Sequence, residues 1–277
     1  MPSGKRARQQ RQAAAAAPPP VRSKGGGGAR ARQASPRALA IAGGVVLLVV
    51  IAVVLGVVLS GGKKSSSTNV PALGNRNWVG ALDGSPQIYN EFKGIPEAGL
   101  ILGNPNAPAT LTEFIDLQCP VCKDFENTQF PTLVQKYVRT GKLNVRMEPW
   151  SILSAPDSPR GQAATIAASL QNKAFQFAAL LYLNQGLEDT GWLTEDFISH
   201  DAASVDGMDT RRVLDDQTAS EVKNTVNDVD GQASAQNFSA TPTLLLNHKG
   251  QKAHVFNPPG LPDPAKLQSA IEAAIQG

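Results

Sequence analysis

The chain has 277 residues, of which 42% are apolar and 18% charged, with 25 Gly, 20 Pro and two Cys. That length holds one or two domains, and the composition excludes a collagen-like repeat, a disulfide-dense mini-scaffold and a polytopic membrane protein. Nine of the 26 Lys and Arg stand in residues 1–40 without an acid among them, leaving 17 bases against 23 acids, so the formal +3 describes a basic tail on an acidic body and not a nucleic-acid-binding fold.

Residues 1–37 are Arg, Gln, Ala, Pro and Gly, with homopolymer runs at 13–17, 18–20 and 25–28. Such a segment has too little apolar surface to offset the entropy of ordering, and it is expected to be a disordered cytoplasmic tail. Its bases read as a topology signal; the alternative is an arm drawn to anionic lipid or nucleic acid.

Residues 38–59 form a run of 22 without a polar side chain. As a helix the run would span roughly 33 Å, against a hydrocarbon core of ~30 Å. Cleaved signal peptides have shorter apolar cores, of about 7–15 residues. The following Ser60-Gly61-Gly62 is not an A-x-A-like cleavage site. The expectation is a retained signal anchor, single-pass in the cell membrane. The bases before it outnumber Lys63 and Lys64, which keeps the amino terminus cytoplasmic and places the rest outside the cytoplasm. Residues 60–91 read as a flexible linker and residues 92–277 as the folded domain.

Within that domain, residues 109–116 (ATLTEFID) are β-branched and aromatic and predict a strand. Residues 123–140 predict a helix kinked at Pro131 and stopped at Gly141. Residues 142–150 alternate as a second strand. From 157 to about 239 the period is helical. Asp157 or Ser158 is expected to cap the first helix, and Thr218-x-x-Glu221 fits a capping box before another. A break is expected near Asn172-Lys173. A strand follows at 243–246, a hairpin turn at 247–250, a returning strand at 253–256 and a last helix opened by Asp263-Pro264. Strands alternating with helices indicate an α/β architecture.

The two cysteines, Cys119 and Cys122, stand two residues apart between the first strand and its helix. A structural disulfide there would close almost no loop and so gain little. Zinc needs four ligands; there is no second C-x-x-C, His248 and His254 have five residues between them, and His200 is isolated. The histidines read as surface residues and no metal is expected. A dithiol alternately oxidised and reduced does need this position. At a helix start, unpaired N–H groups and the positive end of the dipole favour the Cys119 thiolate. Cys122, one turn further in, can resolve a mixed disulfide, and Pro120 has no N–H to lose at the first helical position. The sulfurs themselves carry the electrons, so no cofactor is expected.

The stretch Phe114-Ile115-Asp116-Leu117-Gln118-Cys119-Pro120-Val121-Cys122 with Phe125 resembles the active-site signature of DsbA-like thiol:disulfide oxidoreductases. The lead-in Gly94-Ile95-Pro96 and Leu102-Gly103-Asn104-Pro105-Asn106-Ala107-Pro108 resembles their membrane-anchored bacterial members. The resemblance implies a thioredoxin fold with a helical insertion at about 157–239. It implies that Thr241-Pro242 is a cis-proline loop opposite the dithiol, with the Thr241 backbone pairing with an extended substrate peptide. It also implies that Glu113 is a buried acid beneath the dithiol, relaying the Cys122 proton; the alternative is a Glu113 facing solvent, with Asp116 a turn residue. Val121 departs from the pattern, for the family's strongest oxidant has histidine there, and a milder oxidant is expected here.

The expected activity is that of a membrane-tethered oxidoreductase introducing disulfides into exported client proteins. By resemblance it is reoxidised by a quinone-linked membrane partner of the DsbB or vitamin K epoxide reductase-like type. Two alternatives stay open: a reductase or isomerase kept reduced by a membrane donor, and a non-catalytic or copper-handling binding module.

Overall fold

The computed structural model describes residues 78–256 and 260–277. The expected tail, the apolar run at 38–59 and most of the linker lie outside the described residues. Among the described residues no helix is long and apolar enough to cross a membrane. The elements are α1 (Ser85–Phe92), β1 (Glu97–Ala98), β2 (Ile101–Leu102), β3 (Ala109–Ile115), α2 (Pro120–Thr128), α3 (Phe130–Leu133), a π-helical turn (Val134–Val138) and β4 (Leu143–Pro149). Then come α4 (Asp157–Ser169), α5 (Ala174–Leu183), α6 (Glu195–Ser204), α7 (Thr210–Asp216), α8 (Ser220–Ala235), β5 (Thr243–His248), β6 (His254–Val255) and α9 (Pro264–Gln276).

The sheet runs in the order β1-β2-β4-β3-β5-β6. β3 lies inside it, parallel to β4 with Leu111 opposite Val145, and antiparallel to β5 with Leu111 opposite Leu246. A strand paired on both edges and covered on both faces must be apolar on both. Leu111 and Ile115 belong to the main core with Phe125 of α2 and Phe177 and Leu181 of α5. Phe114 points the other way, into a second cluster with Trp150, Leu245 and Val229 and Ala233 of α8. The helical insertion, α4 to α8, thus supplies cover to both sides.

Pro131 breaks the helix after the dithiol as its missing N–H requires. α2 ends at Thr128, and α3 restarts with Pro131 in its first turn. Gly141 follows at φ 70°. Asn172, at φ 56°, makes the break between α4 and α5. Asp263 caps α9, accepting from the Lys266 N–H at 2.9 Å, and Leu267 and Ile271 are buried beneath it.

Four local expectations are corrected. The linker is not unstructured to residue 91, because α1 folds over 85–92 and buries Ile88 and Phe92 in the main core. Asp157 and Ser158 do not cap α4, whose N-cap is Pro156 behind a cis Ala155–Pro156 bond. The Asp157 carboxylate instead accepts from Gly191 N (2.9 Å) and Leu193 N (3.3 Å), and the Ser158 hydroxyl donates to Asp116. The Thr218–Glu221 capping box does not form either. The turn leaving α7, with Ala219 N donating to Asp216 O at 2.9 Å, delays the helix start by one residue, so the N-cap is Ala219. Finally, Asn247 and His248 are strand residues opposite Thr110 and Ala109, and the hairpin turns at Lys249–Gly250, where Gly250 has φ 82°.

Candidate active site

β3 delivers the chain to Asp116, where it turns through 116–119 into α2. Cys119 is the N-cap of α2, with extended backbone at φ −71° and ψ 122°, and Pro120 takes the first turn. Cys119 N donates to Asp116 O at 3.0 Å and Cys119 O accepts from Lys123 N at 3.0 Å, so the residue is fixed by both its backbone groups. The N–H groups of Val121 and Cys122 are turned toward the Cys119 sulfur. Val121 itself is half-buried and packs against the main core.

The two sulfurs are free thiols in different surroundings. Cys119 keeps 7% of its surface exposed and Cys122 none. A hydrogen bond from the Cys122 thiol does most to hold Cys119 down at about 6; burial pushes the other way, and the Thr241 side chain and then the two N–H groups add to the lowering. Burial pushes the Cys122 thiol well above its ordinary value, and a thiolate at Cys119 raises it further. One sulfur is therefore a ready nucleophile at neutral pH, and the other retains its proton.

Opposite the dithiol, the Thr241–Pro242 bond is cis, as expected. It ends immediately before β5, the neighbour of β3, so strand pairing brings it to the helix start. Cys119 Sγ lies 3.6 Å from Thr241 O. Glu113 does not face solvent. It is fully buried on the α2 side of β3, neither carboxyl oxygen has a hydrogen-bond partner, and burial pushes it up to about 8.

Asp116 is more than a turn residue, and sequence reasoning undervalued it. It is fully buried, and its carboxylate accepts from Gln118 N (3.0 Å), Ile152 N (3.0 Å) and Leu153 N (2.9 Å), and from the Ser158 hydroxyl. Its carbonyl also accepts from the Tyr182 hydroxyl of α5 at 2.9 Å. The helical insertion grips the next residues similarly. The Gln185 amide donates to Leu117 O (2.9 Å) and Cys119 O (3.3 Å), while Gln118 Nε2 donates to Ser154 O (2.8 Å) and Gln118 Oε1 accepts from Asp189 N (3.0 Å). The turn that presents Cys119 is thus held by groups 36 or more residues downstream, which no local pattern announces. Glu126, one helical turn beyond Cys122, was also missed. It is 5% exposed, and its sequence signal is its spacing from Cys122, since residues four apart share a helix face.

The histidines stand away from this site. His200 is exposed, with Nε2 2.7 Å from Gly80 O, and His248 places Nδ1 2.9 Å from Ala274 O.

A dithiol at a helix start, with an activated outer sulfur, a sealed inner one and a cis-proline facing them, defines a thiol:disulfide oxidoreductase of thioredoxin fold. Residues 96–273 match the family model described as Thioredoxin, and the chain belongs to that family. It is similar to the probable disulfide bond formation protein D of Bacillus cereus, 27% identical over 149 residues, which are 53% of this chain and 68% of the relative. In fold it is similar to oxidised BdbD from Bacillus subtilis, with a TM-score of 0.57 and 21% identity over 65% of this chain and 94% of that one. A thioredoxin-like oxidoreductase from Silicibacter pomeroyi aligns with a TM-score of 0.52 and 24% identity, over 71% of this chain and 99% of that one.

Proposed function

We propose that the protein is a membrane-tethered oxidase that introduces disulfides into exported proteins. The observation that carries this reading is the division of labour between the sulfurs: Cys119 at about 6 with an open edge, Cys122 closed off and protonated. A stabilised thiolate favours the reduced form of the enzyme, which makes its disulfide an electron acceptor. A client thiolate attacks Cys119 Sγ, the Cys119–Cys122 bond breaks, and the electron pair goes to Cys122, which takes up a proton. A second client thiolate then attacks the client sulfur and displaces Cys119 as thiolate. Thr241 supplies backbone for an extended client strand beside Cys119, with Pro242 keeping that face open. Glu113 serves as the buried acid that exchanges a proton with Cys122.

A value of about 6 falls between those of thioredoxin, about 7, and the DsbA thiolate, about 3.5. This agrees with the milder oxidant expected from Val121. The apolar run at 38–59 with its basic leader supports a single-pass anchor, with the amino terminus cytoplasmic and the dithiol domain outside. Reoxidation is assigned to a quinone-linked membrane protein of the DsbB or vitamin K epoxide reductase-like type. The names of the disulfide bond formation relatives support the direction of electron flow.

Thiol trapping in cells tests the reading. The oxidase should hold Cys119 and Cys122 predominantly as a disulfide; a predominantly reduced pair would overturn it in favour of a reductase or isomerase. Cys122→Ala should leave Cys119 covalently joined to client proteins, and Cys119→Ser should abolish exchange. Full function in Cys119→Ser would point instead to a binding module.

A further inference from the structure

Backbone pairing at Thr241 would hold any extended chain, because main-chain groups are the same in every sequence. Telling one client from another needs side chains at the rim of the dithiol. Among the described residues four large apolar side chains are exposed: Val79, Leu187, Val255 and Leu261. Leu187 keeps 79% of its surface open, on a loop bonded to the dithiol turn on both sides of it. A single exposed leucine is ordinary on a protein surface, so the weight of the argument falls on how this one is mounted.

The loop leaves α5 at Asn184 and runs to Trp192. Before Leu187, the Gln185 amide donates to Leu117 O at 2.9 Å and to Cys119 O at 3.3 Å, and the Gln185 carbonyl accepts from Lys123 Nζ of α2 at 3.2 Å. After Leu187, Asp189 N donates to Gln118 Oε1 at 3.0 Å and Gly191 N to the Asp157 carboxylate at 2.9 Å. Inside the loop the Thr190 hydroxyl donates to Leu187 O at 2.7 Å. Gly186 lies so close to Trp192 that a Cβ there would stand 2.6 Å from Trp192 Cγ. Leu187 is two residues from Gln185 and two from Asp189, and two residues of chain reach at most about 7 Å. Its backbone is therefore confined beside residues 117–119. The leucine is held outward by a braced loop, ordered before any partner arrives, so little further ordering opposes binding.

We propose that Leu187 is a specificity-determining residue, packing against an apolar side chain that stands next to the reacting cysteine of an extended client. This rests on the exchange reading above and names the clients it favours. The site itself fixes the occupant. A client sulfur has to reach Cys119 Sγ through an opening that leaves only 7% of that residue exposed, so the client residues on either side of it must lie over the groups around Cys119. The Gln185–Asp189 loop is among those groups, bonded to the carbonyl of Cys119 itself. Chains not yet folded still expose the apolar residues that folding will bury. A fixed apolar contact beside the dithiol therefore favours exported chains before they fold over folded surfaces. In the exchange two client thiols become a disulfide, the Cys119–Cys122 disulfide becomes two thiols, and no other reactant is used. Leu187 touches the client away from the sulfurs and takes no part in the electron transfer.

The test gives the oxidised full-length protein three reductants: dithiothreitol and two peptides. Each peptide carries two cysteines, and the pair differs only in having leucine or serine beside the first. The rate at which the Cys119–Cys122 disulfide opens, read by acid quench and alkylation, is corrected for reductant thiolate and divided by the same protein's dithiothreitol rate. The native protein should favour the leucine peptide about tenfold, the lower end of what one apolar contact discriminates. Leu187→Ser should bring the preference close to one, and Leu187→Met should keep most of it. A Leu187→Ser variant with the native preference would overturn the proposal. So would one that dissociates a dimer in sedimentation and leaves the preference intact, for the side chain would then belong to a contact with a second copy of this chain. A native protein opened by both peptides at equal normalised rates would defeat the Leu187 contact alone. One opened by dithiothreitol and by neither peptide would defeat the exchange reading, and the contact with it.

Discussion

The sulfur of Cys119 stands 3.6 Å from the carbonyl oxygen of Thr241, on the far side of a cis Thr241–Pro242 bond. A thiol can donate to that oxygen and a thiolate cannot. The contact therefore belongs to the protonated state, and losing the proton frees the Thr241 carbonyl at the moment the sulfur becomes reactive.

Titrating Cys119 is accordingly the first prediction. Its alkylation by iodoacetamide should rise with a midpoint of about pH 6, leaving about nine-tenths as thiolate at pH 7, against an ordinary thiol value of 9.0. The folded value lies below the unfolded one, so the stabilisation is fully present above pH 9.0 and is lost as pH falls through about 6. Thermal unfolding of the reduced protein should show this as a melting temperature that gains on that of Cys119→Ser as pH rises across that window. A midpoint near 9 would remove the basis for calling Cys119 activated.

Asp116→Asn is the second. The carboxylate, itself fully buried, accepts from two backbone N–H groups of the 152–153 segment, from Gln118 N and from the Ser158 hydroxyl. An amide supplies one acceptor oxygen and turns two donors toward other donors. The cost should be about 2–4 kcal/mol, the range for removing a charged acceptor and stranding its partners. Thermal unfolding reads that loss. Iodoacetamide titration should also show the Cys119 midpoint moving upward, because the turn that aims Val121 N–H and Cys122 N–H at the sulfur is anchored here.

Much of this site was legible because it is local. β3 announces itself by its β-branched and aromatic residues, Cys119-Pro120 by the chemistry of a helix start, and Pro242, through the family resemblance, by its place before a late strand. Asp116 was not legible, since three of the four donors to its carboxylate lie 36 to 42 residues away along the chain. The same cause misplaced the caps: Asp157 and Ser158 have the right side chains for an N-cap, and long-range acceptors and donors outcompete the local bond. α1 was hidden because SPQIYNEF is too short for its period to stand out, and only Ile88 and Phe92 tie it to the core. Glu126 sits in a polar run, Lys123-Asp124-Phe125-Glu126-Asn127, that reads as solvated until Cys122 is known to face inward.

The third prediction sets two glycines against each other. A Cβ on Gly161 of α4 would come within 2.6 Å of Leu117 Cβ and 2.9 Å of Leu193 Cδ2. Leu117 is in the turn before Cys119, so its Cβ, fixed to that backbone, cannot give way cheaply. Gly161→Ala should destabilise by about 1–3 kcal/mol despite the better helix former. Gly231 of α8 has nothing within 4 Å of its would-be Cβ. There Ala should stabilise by about 0.5–1 kcal/mol, from helix propensity alone. Chemical denaturation of both variants checks the pair. Equal effects would mean that α4 does not press on the dithiol turn as described.

The last prediction concerns what the buried acid costs. Glu113 rises from 4.5 to about 8 because burial penalises its charged form. In the unfolded chain it ionises near its ordinary value, while in the folded protein it keeps its proton. Between these two values the native state binds the extra proton, so stability declines as pH rises from about 4.5 to about 8 and levels off above. Glu113→Gln cannot ionise in either state and loses this slope. The variant should match the native protein near pH 4 and exceed it by a few kcal/mol near pH 8, with Glu126 still contributing its own decline. Denaturant midpoints across that range decide the matter. A native protein whose stability did not fall over the interval would show that Glu113 is ionised in place, with a partner or water supplying the hydrogen bonds that the core withholds.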